Sequence, residues 1–191
     1  MTTNGTTGRR RGPNDPERRI RIARAAIQVV AERGIDGLTH RAVAAAAGVP
    51  LGSTTYHFAT LDDLLEVALH EAAANNVRVL REWEENLPPD TDFAAALSEL
   101  VMSYLHEQYP QTVVEYDLYV AALRRPRLRA ATAAWDAALT QLFGSRTDAL
   151  TGRLLAGLFC GLVLQAVLAD PRPSAAQVEA LVRRAIAGPG A

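Results

Sequence analysis

Of the 191 residues, 49% are hydrophobic and 21% charged, a balance that supports a packed core and excludes a disordered chain. The single cysteine, Cys160, excludes an internal disulfide, and residues 1–16 carry charge with no apolar stretch behind it, so no secretory leader is expected and a cytoplasmic location is. The net charge of −1 is unevenly divided: residues 1–60 hold nine arginines against four acidic residues, a net +5, and the remainder holds eleven against seventeen, a net −6. A positive head on an acidic body is the pattern of a polyanion-binding head, although solvated arginine faces would give the same count.

Residues 1–15, rich in Thr, Gly, Asn and Pro around Arg9, Arg10 and Arg11, are predicted to form a disordered basic arm, either tracking a narrow minor groove or solubilising the chain. From Pro16 to Arg33, Ile20, Ala23, Ile27 and Val30 recur at helical spacing and predict an amphipathic helix ending at Gly34. Leu38 to Phe58 then reads as a helix-turn-helix. Thr39 is placed to cap a short helix through Ala47, Gly48 supplies the turn, and Pro50 is placed to open a second helix through Tyr56. Val43 and Val49 are the expected apolar pins, and the small alanines at 44 to 47 would let the helices cross closely. Phe58 is expected to plug the same core.

Thr60-x-x-Asp63 has the form of a capping box opening a long helix to Glu85, stopped by Pro88-Pro89. Further helices are predicted at 93–108, 111–124, 128–144 and 148–169, the last capped by Thr147, and Ser174-x-x-Gln177 opens a final one to Ala187, leaving a frayed GPGA tail. No period-2 strand is found. The expected fold is all-α with about nine helices: a head over 16–60 joined by a long helix to a helical body over 61–191.

The run Arg19-Ile20, Ile22, Ala25-Ala26, Gly34-x-x-Gly37-x-Thr39, Ala47-Gly48-Val49, Gly52, Tyr56-His57-Phe58 and Leu64-Leu65 resembles the DNA-binding domain of the TetR family of transcriptional regulators. The match covers the first third of the chain, with two departures. Leu61 stands where the family usually has Lys, and Thr55 where it usually has Tyr, which puts particular phosphate contacts in doubt. The resemblance implies phosphate contacts from Thr39, Tyr56 and His57, a guanine contact from Arg41 for which a phosphate contact is the alternative, an effector site in the middle helices, and a homodimer built from the last two helices. The partners so implied are double-stranded DNA at a palindromic operator, a second copy of the chain and a small-molecule effector.

On the second short helix, Leu51, Ser53, Thr54 and Thr55 are the residues expected at base edges. Among the aromatic and polar residues of the middle helices, Trp83, Tyr104, Glu115, Tyr119 and Trp135 are the expected effector lining, since Tyr and Trp join an apolar body to a polar tip. The segment between Arg153 and Asp170 is the most apolar stretch, short for a membrane span and better read as a buried helix; Gly152, Ala156, Gly157 and Gly161 give it a shallow face for close approach of another helix, from a dimer partner or, alternatively, from within the chain. No metal-ligand spacing, phosphate loop or nucleophile arrangement is present, so no enzyme, metal or cofactor is expected, and Cys160 in its apolar run should be inert unless it senses oxidants. The expected function is a ligand-responsive regulator, a repressor rather than an activator. The competing reading is a helical protein-interaction module that keeps the fold without specific DNA binding, motivated by Leu61 and by a second helix poor in hydrogen-bonding side chains.

Overall fold

The computed structural model describes residues 16–188, and these form nine α-helices with two short 3-10 turns and no strand. The basic arm expected over 1–15 lies outside the described residues. Helix α1 (Pro16–Arg33) packs across α2 (His40–Ala47). Thr39 caps α2 by accepting the Ala42 N–H at 3.0 Å, a bond worth about 1 kcal/mol. Gly48 ends it in the left-handed region (φ 63°, ψ 38°), where a Cβ would be strained. Helix α3 (Leu51–His57) starts one residue later than expected. Pro50 is its N-cap with extended ψ of 145°, its carbonyl accepting the Ser53 N–H at 2.8 Å. Val43 and Ala44 are buried while Ala45 and Ala46 are exposed, so only one of the alanines expected at the crossing is fully buried. Phe58 closes this core at 1% exposure, with the Arg19 guanidinium 5.1 Å from its ring centre.

Helix α4 (Leu61–Glu85) opens with the expected capping box: Thr60 Oγ1 accepts the Asp63 N–H at 3.1 Å and the Asp63 carboxylate accepts the Thr60 N–H at 3.0 Å. Its 25 residues run about 37 Å. The body follows as α5 (Phe93–Leu105), α6 (Tyr109–Ala121), α7 (Arg129–Ser145), α8 (Ala149–Leu168) and α9 (Ala175–Ala187). Several limits move. Pro110 lies inside the first turn of α6, where its missing N–H costs nothing, so α6 starts before the proline that was expected to precede it. Asp148, not Thr147, caps α8, accepting the Leu150 and Thr151 N–H groups, while the Thr147 hydroxyl turns back to the Phe143 carbonyl.

Two cores result. The first joins Ile22, Val29, Phe58, Leu64 and Leu65 to Leu118, Ala121 and Leu128, so the end of α6 and the turn at Pro126–Leu128 complete the core of the head, and packing is continuous across residue 60. The second gathers Leu80, Leu97, Tyr104, Phe143, Leu155, Phe159, Val163 and Val182. By length and composition α8 is apolar enough to cross a membrane, yet Leu155, Ala156, Phe159, Val163 and Ala166 are buried within the protein.

Gly152 is where α7 and α8 come closest. A Cβ there would lie 2.5 Å from the Gly144 nitrogen and 2.7 Å from the Thr140 carbonyl oxygen, both backbone. Gly152→Ala should therefore separate two helices and lower stability by about 2 kcal/mol or more. Urea unfolding followed by circular dichroism at fixed protein concentration measures this, and an unchanged midpoint would contradict the packing described.

Candidate DNA-binding and effector sites

The outer surface of the helix-turn-helix carries most of the expected DNA contacts. Thr39, Arg41, Leu51 (45% exposed), Thr55 and Tyr56 (63%) are exposed, and Ser53 and His57 are half-buried. The Tyr56 and His57 rings meet edge-on at 5.3 Å. Gly52 has no atom within 4 Å of where a Cβ would stand, leaving room for a close approach to the α3 backbone. Thr54 is the correction. It is 0% exposed, and its hydroxyl donates to the Leu51 carbonyl at 2.8 Å with the His40 carbonyl 3.5 Å away, so it joins α3 to α2 and cannot reach a base. Leu61 packs half-buried against the head core rather than projecting toward DNA.

In the body, α4, α5, α6, α7 and α8 enclose a cavity of about 530 Å³ counted out to its mouth, narrow enough that little of it would hold water. A drug-sized ligand therefore has to move side chains to enter. Tyr104, Glu115, Tyr119 and Trp135 line it as expected, joined by Tyr116, Phe159, Asn76 and Cys160. Trp83 does not. It lies on the same stripe of α4 as Asn76, but about 10 Å further along, against Phe93 with ring centres 6.2 Å apart. Tyr116 and Phe159 are the aromatic walls outside the expected set, although the spacing of three between Tyr116 and Tyr119 puts both on one face of α6.

Glu115 sits among these rings with Gln111 donating to Oε1 at 3.0 Å and Asn76 hydrogen-bonded to the same carboxyl. Burial pushes its pKa up to about 7, the two amide bonds opposing the shift. Among the described residues, no basic side chain lines the cavity. The Tyr116 hydroxyl donates to the Cys160 carbonyl at 2.8 Å, and burial raises the Cys160 thiol to about 11, keeping it protonated. The Tyr119 hydroxyl lies 3.2 Å from both oxygens of Asp136, and burial, followed by that carboxylate, pushes its pKa up to about 12.

The two faces of α8 also separate. Gly152 and Ala156 are buried and serve packing within the chain, whereas Gly157 and Gly161 have open space around them. The outward face carries Leu150, Leu154 and Leu168 at 80%, 53% and 79% exposure, with Leu181 of α9 at 49%.

Comparison with known proteins decides the family. Residues 22–68 match the profile of bacterial regulatory proteins, tetR family, and residues 88–188 match that of the tetracyclin repressor-like C-terminal domain. The chain belongs to the TetR family of transcriptional regulators. A TetR-family relative, the multidrug binding protein EbrR, solved with imidazole, is 44% identical over 92% of this chain and 98% of its own, with a TM-score of 0.80. The TetR-family protein SCO1917 from Streptomyces coelicolor A3 is 43% identical over 90% of this chain and 99% of its own, with a TM-score of 0.77. The HTH-type regulator PksA of Bacillus subtilis is 42% identical over 53 residues, 28% of this chain and 26% of PksA. TetR-family proteins are DNA-binding regulators and not enzymes.

Because Thr54 is structural, Thr54→Ala should lower stability by about 1–2 kcal/mol through the lost hydrogen bond and packing. It should leave the sequence preference of the folded protein unchanged. Chemical unfolding and competitive DNA binding test the two halves, and a changed base preference with unchanged stability would overturn the assignment.

Proposed function

We propose that the chain is a homodimeric repressor whose grip on a palindromic operator is relaxed by a flat aromatic cation bound between α4, α6, α7 and α8. One observation carries the choice of ligand: a cavity walled by five aromatic side chains that holds the carboxyl of Glu115 and, among the described residues, no basic group. Rings attract a cation through their faces, and a half-buried carboxylate supplies the matching charge where water is scarce. EbrR has been solved with ethidium, with proflavin and with malachite green, three ligands of this class, which supports the same reading here.

The outward leucines of α8 and α9, opened by Gly157 and Gly161, are the proposed dimer face. Two heads held about 34–36 Å apart would meet successive major grooves. Arg41 and the α3 residues Leu51, Ser53 and Thr55 read bases, and Thr39, Tyr56 and His57 hold phosphates. Arg41 is the only member of this set able to make a bidentate contact to guanine.

Helix α4 carries the signal. Its C-terminal end is fixed by Arg146, whose Nε meets Glu84 at 2.7 Å and whose Nη2 meets the Glu84 carbonyl at 2.9 Å. Its middle, at Leu69, Ala72, Ala73 and Asn76, is one wall of the cavity. Its first turn is held by the corner between α6 and α7, through Arg125 to Asp62 at 3.1 Å and Arg127 to Asp63 at 2.6 Å. A ligand that parts α4 from α6 and α7 tilts α4 about its Arg146 end and, through the first turn, changes the spacing of the heads. A 100-fold preference of the ligand for the tilted state corresponds to about 2.7 kcal/mol of coupling.

Two outcomes are expected. Arg41→Ala should reduce discrimination between operator and scrambled duplex by about tenfold or more, measured by competition anisotropy with duplex selected from a random library. Indifference to the change would favour an interaction module instead. Second, Glu115 is largely protonated below pH 7 and charged above it, so affinity for a cationic dye should rise from pH 6 to pH 8. Glu115→Gln should weaken binding at pH 8 and flatten the profile, read by dye fluorescence without DNA; the same slope in the variant would remove Glu115 from the site.

A further inference from the structure

A second cleft adjoins the cavity just described and shares two of its wall residues, Tyr119 and Cys160. It lies between α6, α7 and α8 and is completed by Asp136, Thr140, Arg153, Ala156 and Gly157. Counted out to its mouth it holds about 570 Å³. The phenol of Tyr119 is part of the division between them, and its hydroxyl is held by the Asp136 carboxylate at 3.2 Å. Each compartment thus has one carboxyl group, Glu115 within and Asp136 without. The side chain of Asp136 bonds only that phenol among the described residues, while its backbone carbonyl takes the Thr140 hydroxyl at 2.8 Å. The basic group of the outer cleft is Arg153, an exposed residue free to extend into water, whereas Asp136 is half-buried and fixed.

We propose that the effector site has two compartments joined across Tyr119, the inner one taking a flat aromatic body and the outer one, at Asp136, taking a second positive charge carried on a short flexible arm. The inference rests on the cationic effector read for the inner cavity and adds the ligand class: aromatic dications in preference to the matching monocations. Tyr119 moves aside at small cost because a positive charge replaces its hydroxyl as the partner of Asp136. Arg153 limits the gain, since it repels the same arm.

Ethidium and propidium provide the test, because they share a ring system and differ by a quaternary ammonium on a propyl arm. Dye fluorescence is titrated on the full-length protein without DNA, at low salt. Propidium is expected to bind about tenfold more tightly than ethidium. Asp136→Asn should lower propidium affinity about tenfold and ethidium affinity less than threefold, Arg153→Ala should widen the preference, and Glu115→Gln should weaken both dyes together. Propidium binding no more tightly than ethidium, or Asp136→Asn weakening both alike, would overturn the two-compartment site while leaving the inner one standing, as would occupation of the cleft by the partner subunit. If neither dye binds, the cationic-effector reading fails and the second compartment falls with it.

Discussion

The carboxylate of Asp63 is shared between two parts of the molecule. One oxygen accepts the Thr60 N–H and starts α4; the other receives Arg127 from the corner between α6 and α7. The contacts with Thr60, followed by the Arg127 guanidinium, hold the acid below the usual carboxylate range. Asp62, one residue earlier, receives Arg125. Solvent-exposed ion pairs of this kind contribute little to stability. What they fix is geometry: the point at which α4 leaves the head is tied to the two helices that wall the effector cavity. The apolar contacts beneath reinforce the tie, since Leu118, Ala121 and Leu128 complete the core closed by Phe58.

That arrangement makes α4 a lever with unequal ends. Near its C-terminus Glu84 and Arg146 are both mostly buried, with side chains 21% and 23% exposed, and Arg146 reaches backbone carbonyls as well as the carboxylate. At the N-terminus the ion pairs are wetter and the capping box is exposed. A ligand pressing on the middle of such a helix pivots it about the Glu84–Arg146 end and carries along the DNA-binding head packed on its other end. The cavity has little free room in the described state, so ligand binding and side-chain displacement are one event, and displacement gives a ligand different affinities for the two states.

Much of the fold was legible in the sequence because its helix starts are marked chemically. Thr39, the Thr60–Asp63 pair and the Ser174–Gln177 pair each cap where their side chains predict. What the sequence concealed was phase. Helix α3 has seven residues, too few for a periodic pattern, so nothing separated the inward Thr54 from its neighbours Ser53 and Thr55. Helix α8 carries small and apolar residues all round, which hid that Gly152 and Ala156 face α7 and its neighbours while Gly157 and Gly161 face out. Along α4 the stripe containing Trp83 was legible but the end of the cavity was not. Glu115, Tyr104, Tyr119 and Trp135 were recoverable because polar-tipped aromatics and an acid recur on middle helices with no other evident task.

If filling the cavity loosens the head from DNA, a ligand must release bound operator, and that release can be followed in solution. Fluorescence anisotropy of a labelled operator duplex saturated with protein would be followed during titration with malachite green, with the Glu115→Gln protein as the control for direct effects of the dye on DNA. The dye should release operator from the native protein at concentrations where the variant stays bound. Release from both proteins at the same concentration, or from neither while the dye demonstrably occupies the native cavity, would contradict it.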